Sequence, residues 1–145
     1  MTARADGSGR YAAPMPVDLD VLLNSMPFAV ALGVELDEAS PQRVVGGIEW
    51  ASDRCTIGDT LHGGALMGLA DSLGAICAFL NLPEGAGGTS TIESKTNFFR
   101  AVPGGRVSAS TEPLHVGRRT IVVQTDLRNA DGKRVALVTQ TQAVL

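Results

Sequence analysis

From His62 to Pro83 the chain holds no lysine, arginine or glutamate, and Asp71 is its only charged residue. Within this run Leu66, Leu69, Leu73, Ile76 and Leu80 step by 3, 4, 3 and 4, which is one stripe of a helix. Gly64, Gly68, Asp71 and Ala75 form a second stripe roughly opposite the first. The spacing predicts a helix from about His62 to Leu80, with large apolar groups on one side and a trough of small residues around a carboxylate on the other. A helix apolar all round has to be covered all round. The stretch 61–82 is almost long enough to span a bilayer. Its four glycines and mid-segment aspartate argue for a buried core helix instead, with no membrane association.

The flanking pattern constrains what covers the helix. Pro16 to Met26 reads as a short helix. Residues 28–38 and 43–51 are β-rich and partly alternating, separated by Ser40-Pro41. After the proline and glycines of 82–88, four strands are predicted at 89–101, 105–114, 118–128 and 133–144. Their connections are too short for parallel crossovers, so they are expected as an antiparallel meander. The fold class is therefore α+β, an antiparallel sheet of about six strands wrapped around one long central helix. Such a sheet covers one face of the helix, and a second copy of the chain is the simplest cover for the other. Residues 1–16 read as a flexible tail without a secretory apolar segment, and residues 17–145 as a single domain.

Composition narrows the function. A net charge of −3, with no aromatic–basic interleaving, excludes a general nucleic-acid binder. Cys55 and Cys77 lie far apart and only two histidines are present. The pattern therefore fits neither a disulfide framework nor a metal centre, and it suits a reducing, cytoplasmic location. Nucleotide-binding glycine motifs and a GxSxG elbow are absent.

The chemistry concentrates in TLHGGALMGLAD. A lone carboxylate on an apolar helix is either satisfied by local hydrogen bonds or a candidate general base or nucleophile. His62, Gly63 and Gly64 fall on the first helical turn, whose free N–H groups and dipole suit an anion or a developing oxyanion. About two and a half turns, roughly 13 Å of helix axis, separate that turn from Asp71. That is too far for both to act on one carbonyl within a chain, so two protomers would have to share each site.

HGGALMGLAD, followed by STIESKTNFFRAV, GRVSAS and the strand-rich C-terminal half, resembles the hotdog-fold acyl-CoA thioesterases. The closest likeness is to their phenylacetyl-CoA and 4-hydroxybenzoyl-CoA branch, over about residues 28–145. The resemblance implies a homodimer, pairing further into a tetramer, that hydrolyses an acyl- or aroyl-CoA ester without a metal or other cofactor. Asp71 then matches the essential acidic residue, as general base or nucleophile. Gly63 matches the residue whose amide polarises the thioester carbonyl, and His62 the histidine that shapes the turn. Thr91 matches a hydroxyl that positions water, with Ser90 its neighbour should the alignment shift by one. Arg100, Arg118 and Arg119 match positions facing the CoA phosphates.

The sequence departs from the branch at Thr56, where relatives carry asparagine or glutamine; a hydroxyl reaches less far and has one donor. That departure keeps open an acyl-CoA sensor with little turnover. A hotdog dehydratase would need a closer histidine–acid pair than His62 and Asp71.

Overall fold

The computed structural model describes residues 16–145; the expected tail, but for Pro16, lies outside them. The chain runs α1 (Leu19–Asn24), α2 (Pro27–Leu32), β1 (Glu35–Ala39), β2 (Val44–Glu49), a short 3-10 turn (Ser52–Arg54) and α3 (Gly63–Leu80). Then follow β3 (Thr89–Phe98), β4 (Arg106–Val116), β5 (Thr120–Arg128) and β6 (Arg134–Val144). The six strands form one sheet in the order β1-β2-β4-β5-β6-β3, antiparallel throughout. Register shifts interrupt four of the five strand pairs. Such bulges bend strands and increase their twist, and the sheet curls around α3, which touches β2, β3, β4, β5 and β6.

The first stripe of α3 is the centre of the core. Leu69 and Leu73 are wholly buried and Leu66 and Ile76 nearly so, among Ile48, Val107, Ile121, Val123, Leu127 and Val138 from the sheet. Each such leucine contributes about 1.5–3 kcal/mol by leaving water. Length and composition alone would let α3 cross a membrane, yet the sheet already encloses this face.

Two expectations change. Residues 28–38 are not one strand: α2 occupies Pro27–Leu32, and β1 begins only at Glu35. Its signals are Pro27 at the first turn and Gly33 at the end, in the left-handed region at φ 79°. These outweigh the β-branched Val30. The four C-terminal strands are not a four-strand meander either, because β3 lies at the far edge beside β6 and only β4, β5 and β6 run consecutively. The turn-like Pro103-Gly104-Gly105 serves the start of β4 alone. Buried Val102 accepts the Leu61 amide at 2.9 Å, carrying the chain across the end of the sheet, and Gly105 accepts the Trp50 amide beside β2. Asp71 is exposed in the protomer, on the helix face that the sheet reaches only through Thr91 and Gln140.

Candidate active site

Asp71 meets two elements of the sheet. Its Oδ1 accepts from Gln140 Nε2 at 2.8 Å and from Thr91 Oγ1 at 3.2 Å. Thr91 Oγ1 in turn accepts from Gln142 Nε2 at 2.8 Å. The strand pleat produces this arrangement. Gln140 and Gln142 are two apart on β6, so both point at α3, and both are 1% exposed. On β3, Thr91 stands opposite Gln142, and the bulge that leaves Ile92 unpaired follows at once. Ser90 is a cross-strand partner of Ala143 and makes no bond to Asp71; the pleat turns its hydroxyl away from Thr91's. Asp71 Oδ2 takes no bond from the described residues.

The helix start is a second, separate cluster. His62 is the N-cap of α3, and its Nδ1 accepts the Gly64 amide at 2.8 Å. An accepting Nδ1 carries no proton, so the neutral ring keeps its N–H on Nε2. A Cβ on Gly64 would lie 2.9 Å from that nitrogen, so glycine here makes room for the imidazole. The Gly64 amide is therefore spent on the cap, whereas the Gly63 amide has no acceptor among the described residues. Gly63 itself rests against the Phe98 ring, 3.0 Å from where its Cβ would be.

The turn is anchored from outside by His62 N–H to the Arg54 carbonyl (2.8 Å) and Trp50 Nε1 to the Asp59 carbonyl (2.9 Å). Thr56 sits on this exposed loop. Its amide donates to Thr60, and its hydroxyl bonds neither His62 nor Gly63.

The arginines also divide. Arg100 reaches the Arg134 carbonyl at the start of β6, while the Arg119 carbonyl accepts from Val144 at its end. Arg118 and Arg119 are thus on the order of 30 Å of strand away from Arg100. All three are exposed.

Two hollows adjoin the clusters. One of about 310 Å³ is lined by Leu22, Met26, Ala75, Ile76, Phe79 and Thr89, and begins one helical turn beyond Asp71. Another of about 360 Å³ lies against Phe28, Leu32, Arg54, Cys55, His62 and Gly64. The thiols are poor nucleophiles here. Burial, then Glu112, pushes Cys77 up to about 11, and burial with Asp59 and Asp53 raises Cys55. Ser72 spends its proton on the Gly68 carbonyl at 2.8 Å.

The sequence profile described as the thioesterase superfamily matches residues 58–136, more than half of the chain. The chain belongs to the thioesterase superfamily. Its relatives include the 1,4-dihydroxy-2-naphthoyl-CoA hydrolase of Escherichia coli, 34% identical over 85 residues, which are 59% of this chain and 62% of that protein. The proofreading thioesterase EntH of Cronobacter sakazakii is 32% identical over 85 residues, 59% of this chain and 61% of its own. Among solved structures, a mutant thioesterase from Pseudomonas aeruginosa matches with a TM-score of 0.84 at 28% identity, covering 91% of this chain and 96% of that one. A mutant of the phenylacetic acid degradation protein PaaI from Thermus thermophilus matches with 0.75 at 30% identity, covering 83% and 100%. This thioesterase is a thioester hydrolase with a hotdog fold.

Three residues of the thioesterase's two clusters escape a reading of the sequence: Gln140, Gln142 and Phe98. The available signal is weak. Along β6, positions 136, 138, 140 and 142 read Ala, Val, Gln, Gln, and the other face reads Val, Leu, Thr, Thr. Neither face is plainly the apolar one, so alternation does not say that the glutamines point inward.

Proposed function

We propose that this thioesterase hydrolyses an acyl-CoA ester as a homodimer, each site combining Asp71 and Thr91 of one chain with the partner's His62–Gly63 turn. The observation that carries this reading is the placement of both clusters along β3. Thr91, near its start, bonds Asp71, and Phe98, at its end, packs on Gly63. β3 is an edge strand, and Phe28, Phe79, Ile92, Phe98 and Phe99 are exposed on and around it. Exposed apolar groups beside an unpaired edge call for a cover. Antiparallel pairing of β3 with its own copy about a two-fold axis supplies one. It brings the start of each β3 toward the end of the other, and so Asp71 toward the partner's Gly63. The same operation brings Arg118 and Arg119 toward the partner's Arg100, which supports one composite cradle for the CoA phosphates.

In this reading water attacks the thioester carbon and gives its proton to Asp71 Oδ2, the oxygen free of protein donors. Thr91 has already donated to Oδ1, so its remaining lone pair can hold the second water proton. The Gly63 amide and the positive end of α3 stabilise the oxyanion. Collapse expels the CoA thiolate, which recovers the proton from Asp71. The acyl group enters the hollow beside Ala75, Phe79 and Met26, whose lining suits an apolar chain or ring.

Subunit complementation tests the composite site. Asp71→Asn removes the base. Gly63→Pro removes the first-turn N–H at a helix position that tolerates proline. Each variant alone should be inactive. Unfolded together and refolded, they should regain about a quarter of wild-type activity, because half the dimers then hold one intact site of two. No recovery, with mixed dimers verified by mass, would place both groups within one chain's site and overturn the reading.

A further inference from the structure

Two buried glutamines stand on β6 at core-facing positions, where apolar side chains would pack without needing hydrogen-bond partners. Gln140 cannot turn its amide the other way: Oε1 toward Asp71 would set acceptor against carboxylate. The donor-inward orientation therefore leaves Oε1 buried without a partner. A Cβ on Gly74 would collide with that oxygen, so the glutamine fits only because α3 carries no side chain there. A core that keeps an unsatisfied carbonyl and a mid-helix glycine to aim one N–H at one carboxylate oxygen is organised around that carboxylate.

We propose that Gln140 and Gln142 are positioning residues, Gln140 fixing Asp71 and Gln142 fixing Thr91, with Gly74 as the seat that admits Gln140. The proposal rests on the reading that Asp71 and Thr91 carry the hydrolysis. Gln140 occupies Asp71 Oδ1 and so directs Oδ2 outward. Gln142 donates to Thr91 Oγ1, which commits the hydroxyl proton to Asp71 and leaves one lone pair free. Neither amide needs to touch the substrate.

The test uses the full-length chain and a panel of CoA esters. Gln140→Met keeps length and volume but has no donor. It should lower kcat about tenfold to a hundredfold, the scale of a misplaced catalytic group, while KM stays within about twofold and the melting temperature is kept or raised. Gln140→Leu, which likewise has no donor and reaches less far, should fall at least as far. Gln142→Met should lower kcat in the wild type yet change nothing further in a Thr91→Val background, because it acts through that hydroxyl.

A folded Gln140→Met enzyme with unchanged kcat overturns the role of Gln140. Additive losses for Gln142→Met and Thr91→Val overturn that of Gln142, whether or not the Gln140 variants fold. Full activity in Asp71→Asn would instead remove the underlying reading, so the two failures are distinguishable.

Discussion

A Cβ at Gly64 would crowd His62 Nδ1, and from that contact follows a division of labour within the HGG turn. His62 holds the helix end, Gly64 gives it space and a hydrogen to accept, and Gly63 keeps the free amide. His62→Ala should destabilise the protein by the usual worth of an N-cap, about 0.5–2 kcal/mol, lowering the melting temperature by about 2–4 °C per kcal/mol for a chain of this size. His62→Asn restores a capping side chain and should recover most of that loss. A melting temperature unaffected by His62→Ala would show that the cap contributes nothing. Asp71, His62 and Gly63 were legible in the sequence because each breaks a local rule: a charge on an apolar helix, then a histidine and glycines at its start. Gln140 and Gln142 break a rule only once the inward face of β6 is known, and that depends on its register with β3 and on α3 lying against it.

At the scale of elements, the long helix and the boundaries of β2, β4, β5 and β6 followed from periodicity and turn chemistry, whereas α2, the start of β1 and the place of β3 did not. Sequential strands usually pair, and nothing local in 99–105 says that this one goes to the far edge; buried Val102 and its bond from Leu61 settle it. The β5–β6 hairpin carries its own pH dependence. Burial alone would raise the Asp126 carboxyl, but hydrogen bonds from Arg134 and Arg128 outweigh it and hold the group below its ordinary value. A carboxylate depressed on folding stabilises the native state above its unfolded value of about 3.9, and that contribution disappears as pH falls through the folded one. Asp126→Asn should therefore lower the melting temperature by a constant amount above about pH 5, with the gap to wild type closing under more acid conditions. A gap that persists undiminished in acid would mean that the loss comes from packing and not from the ion pairs.

The whole molecule poses a problem of completeness, since one chain keeps its carboxylate and its free amide apart and leaves between them an unpaired strand edge with Ile92 63% exposed. Under the proposed shared site, catalysis and association are one property, and specific activity should fall with dilution along the same curve as dimer mass measured by light scattering. A lysine at position 92 places a charge on that edge, a device by which strands avoid pairing. Ile92 touches neither Asp71 nor the Gly63 turn through any described hydrogen bond. Ile92→Lys should thus keep the circular dichroism spectrum and the Asp71–Thr91–Gln142 chain of bonds, yet sediment as a monomer and lose turnover. Raising the protein concentration should restore both together. A monomeric Ile92→Lys enzyme with wild-type kcat would mean that one protomer contains everything the reaction needs. The exposed Phe79, Ile92, Phe98 and Phe99 along and beside β3 would then have to be explained without a partner.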